Sequence, residues 1–335
     1  MAWPDFARGL SIVLVVLLHL FVLHYIYFFY GSPGSELVSV VVDASLPLRM
    51  PLFFLVSGYL AARALWRPWA AVGRRRVWLL VYLYGVWIVL NALFDLARER
   101  LGHGGSVDPV RFVAENLIEP QTALWYLYAL VVFFLVTRLT RSWSLGAVLA
   151  LGIAASVVGT TFFDGLPQHL LRSFVFYALA ARAPQIIDWV ASRTGFAPLL
   201  ATAASYAALT TLYFVTSIDF GVLLVAGAVG VALGIQLAVR LGAKRIAAPF
   251  RYLGRHTLAI FLVHPFVFVL VNDFFLEFPE AAEAIRDRPL VVAVYPWLLL
   301  AATLAVCVGL EALATRIGLG FLFTLPRFRR KAAAR

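Results

Sequence analysis

Ten long apolar runs divide this chain, and they restrict its fold more than any other feature. Nine of the runs have about the 20 residues that a helix needs to cross the hydrocarbon core of a bilayer, and the sixth is shorter. Of the 335 residues, 63% are hydrophobic and only 13% are charged, which is far more apolar than a soluble domain. The runs lie at approximately 9–30, 46–66, 77–97, 122–140, 144–163, 169–183, 196–216, 220–240, 256–276 and 290–313. The sequence therefore predicts an all-α integral membrane protein with about ten transmembrane helices.

The charged residues follow the positive-inside pattern when the N-terminus is placed in the cytoplasm. Cytoplasmic segments then hold 21 of the 28 Lys and Arg residues, and outer segments hold 14 of the 17 Asp and Glu residues. Because this bias sets the orientation of a membrane protein, both termini are predicted to be cytoplasmic. Basic clusters of this kind are typical of contact with anionic lipid headgroups. The net charge of +11 therefore does not indicate a nucleic-acid partner.

Little sequence remains outside the apolar runs, so the chain is predicted to be one domain. We expect a single transmembrane domain over residues 1–335, with a basic cytoplasmic tail from about 314 and no appended soluble domain. Cys307 is the single cysteine, which excludes an internal disulfide. The sequence has neither an HExxH motif nor a cysteine cluster, so no metal is expected. The pattern predicts no particular oligomeric state.

The first run carries ionisable residues that a helix in lipid does not need, within DFARGLSIVLVVLLHL (5–20). His19 comes eleven positions after Arg8, or three helical turns plus about 20°, so both lie on one face about 16 Å apart. Asp5 extends the same stripe. Ionisable groups within membrane spans usually mark functional sites. Because neutral imidazole accepts a proton near neutral pH, the stripe predicts a general base at His19. The alternative is a His19 that only hydrogen-bonds a neighbouring helix.

Two further polar residues lie inside predicted spans. His264, in LGRHTLAIFLVHPF, is as deep from the cytoplasmic end as His19, so the two histidines could face one cavity. A structural histidine beside the helix-kinking Pro265 is the alternative, and both remain open. Ser57, in LVSGYL, lacks the glycine pattern of a nucleophile elbow, and small residues there favour close helix packing.

Four segments, in order, resemble the motifs of a known family. DFARGLSIVLVVLLH has the Arg, ten residues, His opening of the acyltransferase 3 family of bacterial membrane O-acyltransferases. RMPLFFLVSGYL, ALWYLYALVVFF and LGRHTLAIFLVHPFVF resemble its second-span, Trp-aromatic-Leu and late-span motifs. The resemblance runs from residue 5 to about 268 and agrees with ten spans. It implies a multi-pass enzyme of the bacterial plasma (inner) membrane. Such an enzyme transfers an acyl group, usually acetyl, from cytoplasmic acyl-CoA to a hydroxyl of an envelope glycan or glycolipid.

The resemblance also implies roles for particular residues. His19 would be the catalytic residue, as a base or as a covalent acyl carrier, and Arg8 its partner in the motif. Asp5 is a second candidate catalytic residue on the stripe, and it would orient Arg8 because it lies about 21 Å from His19 along the helix. Arginine favours phosphate, so Arg8 and the cluster Arg74, Arg75 and Arg76 would bind coenzyme A. Relatives often have Arg-x-x-Arg where this chain has three contiguous arginines, so which of them meets coenzyme A is left open.

Four residues are candidates for contact with the acceptor: Ser57, Trp125, His264 and Arg49. Arg49 stands where relatives often have histidine, which leaves an acidic acceptor open. Trp125 could stack on a sugar, although a tryptophan at the membrane interface has the same appearance in a sequence.

Two other functional classes account for part of the pattern. A transporter or exporter of a small acid or lipid would also place polar groups near the bilayer middle. It gives no reason for a base in line with a cytoplasmic arginine. A purely structural membrane protein leaves the stripe on the first helix unexplained. The acyltransferase is therefore the favoured function, and the transporter is the alternative.

Overall fold

The computed structural model describes residues 2–106, 108–120, 122–193, 195–216 and 221–326, with the side chain of Arg75 excepted. These residues form helices and turns and contain no β-strand. Eight helices within the described part of the chain are long and apolar enough to cross a membrane. The chain is therefore a nearly all-helical, multi-pass membrane protein. Residues 327–335 of the predicted basic tail lie outside the described residues.

The helices are given in chain order. The first half of the chain contains α1 (Ala2–Leu20), α2 (Ile26–Phe28), α3 (Glu36–Ala44), α4 (Leu46–Ala61), α5 (Trp69–Gly73), α6 (Leu79–Arg100), α7 (Pro109–Ile118), α8 (Trp125–Leu139) and α9 (Leu145–Phe162). The second half contains α10 (Gly165–Arg182), α11 (Pro184–Ser192), α12 (Phe196–Thr216), α13 (Val222–Gly242), α14 (Ala248–Arg255), α15 (Thr257–Glu277), α16 (Pro279–Arg286) and α17 (Pro289–Arg316). Two π-helical segments, Phe21–Tyr25 and Arg74–Trp78, continue α1 into α2 and α5 into α6.

The eight candidate spans coincide with eight of the ten predicted runs. They are Ala2–Phe28, Leu46–Trp66, Arg76–Arg100, Leu145–Phe162, Phe196–Thr216, Val222–Gly242, Thr257–Glu277 and Pro289–Arg316. The other two runs are also helical. The run at 122–140 forms α8, which has 15 residues and is shorter than a bilayer requires. The run at 169–183 lies in α10, which is long enough but more polar than the others. The total of ten spans and the cytoplasmic termini stay predictions.

Helix α1 lies at the centre of the bundle and packs against α4, α13, α14, α15 and α17. Its contact with α14 is made by backbone, because Gly9 faces the carbonyl of Phe250 and Gly254 faces the carbonyl of Asp5. A β-carbon at either glycine would overlap the opposing carbonyl oxygen. This close approach holds the start of α15, and with it Thr257, beside Arg8.

The helix pairs that build the rest of the site are α4 with α10, α4 with α13, and α9 with α10. Helix α4 also packs on α8, where Phe54, Phe133 and Phe134 are among the largest fully buried side chains. The ring of Phe53 stacks on Tyr126 with 4.4 Å between centroids. This aromatic packing fixes the face that α8 presents to α1 and α15.

Candidate active site

Two cavities are stacked along α1 and α4. The Arg8 cavity has a volume of about 420 Å³, and α4 contributes Phe53, Ser57 and Leu60 to its wall. The His19 cavity has a volume of about 200 Å³, and the other end of α4 contributes 46–47 and 49–51. The cavities therefore lie toward opposite ends of the bundle. Phe261 of α15 lines both of them.

The Arg8 cavity holds two guanidinium groups. Arg8 Nη2 donates to Thr257 Oγ1 at 2.5 Å, and Arg76 Nη2 donates to the carbonyl oxygen of Leu60 at 2.5 Å. Their positive charges are close enough to repel each other, and the carboxylate of Asp5 attracts Arg8. Two arginines in one confined space suit an anion with several oxygens, such as a phosphate.

A short hydrogen-bond chain crosses the wall of the Arg8 cavity. The Ser57 hydroxyl donates to the carbonyl oxygen of Phe53 at 2.8 Å. Because a hydroxyl has one proton, the Tyr126 hydroxyl is the donor in the 2.9 Å contact with Ser57 Oγ. The proton of Ser57 is thus held by the backbone, and Ser57 helps to fix Tyr126 at the cavity wall.

The arginine cluster divides between two environments. Arg76 lines the Arg8 cavity, whereas Arg74 is exposed and donates to the carbonyl oxygen of Pro326 at 3.1 Å. The side chain of Arg75 lies outside the described residues. All three begin the π-helical segment Arg74–Trp78, whose wider turn changes the direction of side chains relative to an α-helix.

His19 and His264 form a hydrogen-bonded pair. Nδ1–H of His264 donates to the carbonyl oxygen of Ile260 at 2.9 Å, since a carbonyl oxygen only accepts. In a neutral pair, Nε2 of His264 then carries a lone pair and accepts from Nδ1–H of His19 at 3.0 Å. The lone pair of His19 is left on Nε2. His19 is half-buried and lines the cavity, so this nitrogen is the basic atom that the pair offers to it.

The predicted acceptor residues take different positions. Arg49 and Trp125 line the His19 cavity, whereas Ser57 lines the Arg8 cavity. His264 is completely buried and contacts His19 from behind, outside the residues that line either cavity. The structure therefore brings His19, Arg49 and Trp125 together and places Ser57 with Arg8.

The His19 cavity also contains charged residues from α10. His169 stacks on Trp125 with 5.3 Å between ring centroids, and Arg172 follows it by three residues on the same helix face. Arg172 and Arg49 are close enough for their charges to repel. Arg49 Nη1 donates to the carbonyl oxygen of Val42 at 3.1 Å and to Ser45 Oγ at 3.3 Å.

An acidic residue near Arg49 lies on α3, outside the membrane-spanning segments and outside the cavity wall. Partial burial raises the pKa of the Asp43 carboxyl above its usual range, and the Arg49 guanidinium opposes that rise. No Asp or Glu lies among the described residues that line the His19 cavity. The charged side chains in the described wall of this cavity are therefore the two arginines, Arg49 and Arg172.

Sequence reasoning did not single out several residues of the two cavities, among them Tyr126, Thr257, Phe261, His169 and Arg172. A usable signal existed for His169 and Arg172, because two basic residues at spacing i, i+3 interrupt an apolar run. Tyr126 and Phe261 are aromatic residues within apolar runs, and their positions depend on which helices pack together.

Comparisons with known proteins agree with the motifs. The family model described as an acyltransferase domain, acyltransferase 3, matches residues 1–312. The inner membrane protein YcfT of Escherichia coli is 28% identical over 97% of this chain and 96% of its own length. The nodulation protein NolL of Sinorhizobium fredii is 31% identical and that of Mesorhizobium japonicum is 24% identical, each over 55% of this chain. The chain spans about half the length of each NolL protein, at 49% and 48%.

No solved structure matches the chain at a significant level. The match to the family model covers nearly the whole chain and includes α1, α4, α8 and α15, which carry the four motifs. The family that the sequence resembled is thereby confirmed: this chain belongs to the acyltransferase 3 family of membrane proteins.

Proposed function

We propose that this protein is an O-acyltransferase of the bacterial inner membrane. It would move an acetyl group from acetyl-CoA to a hydroxyl of a cell-envelope glycan or glycolipid. Membership of the family supports acyl transfer, and the name of YcfT supports the inner membrane. The observation that carries the proposal is the meeting of two cavities at Phe261, one holding paired arginines and the other a basic histidine nitrogen.

In this proposal, the Arg8 cavity receives the acyl donor. Arg8 and Arg76 provide positive charge for the phosphates of coenzyme A. The remaining wall is mainly apolar, with Leu79, Leu130 and Phe134, and it suits the uncharged pantetheine arm. The arm would carry the thioester along α1 toward Phe261 and His19.

The transfer itself needs one base. Nε2 of His19 takes the proton of the acceptor hydroxyl while the hydroxyl oxygen attacks the carbonyl carbon of the thioester. An oxygen–carbon bond forms, the carbon–sulfur bond breaks, and the proton passes from His19 to the departing sulfur of coenzyme A. The alternative route uses the same nitrogen as a covalent carrier of the acyl group. Both routes require the tautomer with the lone pair on Nε2.

His264 has a positioning role in this scheme. Its Nε2 accepts a hydrogen bond from Nδ1–H of His19. This hydrogen bond selects the tautomer with the lone pair on Nε2 and holds the ring of His19 in place. When His19 takes up a proton, the same hydrogen bond becomes charge-assisted and stronger. His264 itself is completely buried and meets no substrate in this scheme.

The test uses purified protein in nanodiscs with radiolabelled acetyl-CoA and total membrane lipid extract. We expect label to enter the extract with stoichiometric release of coenzyme A, and both to be lost in His19→Gln. The matched control is His24→Gln, because His24 is a buried histidine five residues further along that hydrogen-bonds Asn272 and Tyr295. Transport of a labelled acid or lipid without release of coenzyme A would replace this proposal with the transporter alternative.

A further inference from the structure

A third cavity adjoins the His19 cavity. It is an apolar groove of about 600 Å³ between α4, α9, α10, α11, α12 and α13. Phe176 and Leu224 line both the groove and the His19 cavity, so the two spaces are neighbours with shared walls. Among the described residues that line the groove, Thr202 and Ser205 are polar and none is charged.

The groove is open toward the lipid. Ile153 of α9 is 47% exposed and Val225 of α13 is 51% exposed, and both lie in its wall. Both helices are candidate membrane spans. In a bilayer, the surface that these residues present is covered by hydrocarbon. A hydrocarbon chain can therefore enter the groove sideways without crossing water.

The neighbouring His19 cavity has the opposite character. Two guanidinium groups, Arg49 and Arg172, line it beside His169, and its described lining contains no carboxylate. Arg49 is only 7% exposed. Positive groups that are close enough to repel each other are stabilised when an anion with several acceptor oxygens lies between them. A phosphate is the anion that arginine matches best.

We infer that the acceptor is an anionic lipid with a hydroxyl in its headgroup. This inference rests on the proposed function. The hydrocarbon chain lies in the groove, the phosphate lies against Arg49 and Arg172, and the headgroup hydroxyl reaches Nε2 of His19. In the transfer, the hydroxyl oxygen bonds to the acyl carbon and the carbon–sulfur bond of the thioester breaks. The hydroxyl proton passes through His19 to the sulfur of coenzyme A. A phosphate and a hydroxyl on one lipid molecule account for the arginines, the base and the groove together.

A neutral glycolipid is the competing acceptor, and it explains the groove but not the arginines. A soluble sugar phosphate explains the arginines but not the groove. Neither substance needs both spaces. The two features therefore become separate arms of a test, one that changes the charge of the headgroup and one that removes the chains.

The binding arm measures lipid retention by native mass spectrometry of the whole protein. The probes are phosphatidylglycerol, a glucosyl diacylglycerol with the same acyl chains, and glycerophosphoglycerol, which lacks the chains. We expect phosphatidylglycerol to be retained about tenfold more than either other probe, as one charge-assisted contact can provide. Arg49→Gln and Arg172→Gln should remove the preference for phosphatidylglycerol over the neutral lipid.

A groove-filling variant tests the hydrocarbon chain. Ala228 lines the groove and is exposed, so Ala228→Phe occupies the groove without entering the core. Its control is Val306→Phe, in a separate apolar groove of about 310 Å³ between α15 and α17 that shares no wall with the His19 cavity. We expect Ala228→Phe to lower retention of phosphatidylglycerol about tenfold and Val306→Phe to leave it unchanged.

Equal retention of the charged and neutral lipids, or retention that none of the groove and arginine variants changes, would overturn the inference. The activity arm separates this failure from failure of the proposed function. If labelled acetyl enters a neutral lipid or a water-soluble product, the proposed acyl transfer is supported and the inference of an anionic lipid acceptor is wrong. If coenzyme A is never released, the proposed function fails, and the binding arm still decides whether the site holds an anionic lipid.

Discussion

The imidazole rings of His19 and His264 lie 245 residues apart in the chain and share one hydrogen bond of 3.0 Å between Nδ1 and Nε2. The carbonyl of Ile260 fixes the proton on the far side of His264. Nε2 of His264 must then accept from Nδ1–H of His19, and the lone pair of His19 is left on Nε2. A backbone carbonyl on α15 thus determines which ring nitrogen of His19, on α1, carries the lone pair.

The first prediction concerns His19. Replacement by Gln keeps a hydrogen-bonding side chain but removes the nitrogen that takes up the proton. General-base help is typically worth a factor of about 10² to 10⁴, so kcat should fall by that range. Acetyl-CoA binding, measured by calorimetry, should stay unchanged because Arg8 and Arg76 are untouched. If the variant retains more than about a tenth of the wild-type turnover, His19 is not the base.

His264 should behave as a positioning residue. His264→Leu removes the acceptor for Nδ1–H of His19, and we expect kcat to fall about tenfold with an unchanged KM for acetyl-CoA. His264→Gln offers a carbonyl oxygen in place of the nitrogen and should restore part of kcat. A purely structural residue would give a different result, because both variants would then have a lower melting temperature and a lower activity in parallel.

Arg8 is predicted to bind the phosphates of coenzyme A. Arg8→Ala should weaken acetyl-CoA binding about 10- to 100-fold, as expected for loss of a charge-assisted contact. Arg74→Ala is the matched control, since Arg74 points to Pro326 and away from the cavity. Calorimetric titration measures both variants. Equal losses in both would mean that the whole arginine cluster, rather than the Arg8 cavity, attracts coenzyme A.

The C-terminal ends of α6 and α15 should depend on one ion pair. Arg98 contacts Asp273 through two hydrogen bonds of 2.6 and 2.7 Å, and both side chains are largely buried. Asp273→Asn removes two charge-assisted hydrogen bonds and leaves Arg98 only its longer contact of 3.6 Å with Asp95, so it should lower the free energy of unfolding by on the order of 2 kcal/mol. The exposed pair of Arg111 and Glu115 is the control, and Glu115→Gln should leave the melting temperature almost unchanged. Similar melting temperatures for the two variants would contradict this assignment.

Membrane orientation follows from the charge distribution and can be tested by labelling. In a Cys307→Ala background, Ser106→Cys and Glu283→Cys should react with an impermeant maleimide added to intact cells. Ser192→Cys, at the end of α11, should react only after the cells are broken. All three positions are exposed in the structure, so accessibility depends on the side of the membrane alone. Labelling of Ser192→Cys in intact cells would reverse the predicted topology.

The parts of the site that sequence analysis could predict are local. Arg8 and His19 are on one helix, and the helical period alone places them on one face. The eight spans could be located because hydropathy is a property of a continuous segment. Helix α8 shows the limit of this reasoning, because its 15 residues are followed by a 3₁₀ turn that hydropathy does not reveal.

The parts that sequence analysis could not predict depend on which helices meet. The distance between His19 and His264 requires α1 and α15 to pack together at one register. Arg172 joins Arg49 only because α10 packs on α4. Similarly, the π-helical segment at Arg74–Trp78 places Arg76 in the cavity and Arg74 outside it. No helical wheel drawn from the sequence would separate them in this way.

The shared wall at Phe261 has an electrical consequence. Two cavities that approach each other from opposite ends of a bundle thin the insulating layer of the membrane between them. A membrane potential of 100 mV is worth about 2.3 kcal/mol for each elementary charge, and it falls mostly across the thinnest insulating part. An aromatic ring has no exchangeable proton to pass on. In the proposed reaction, Phe261 would therefore separate the two cavities without supplying a group that carries protons across the membrane.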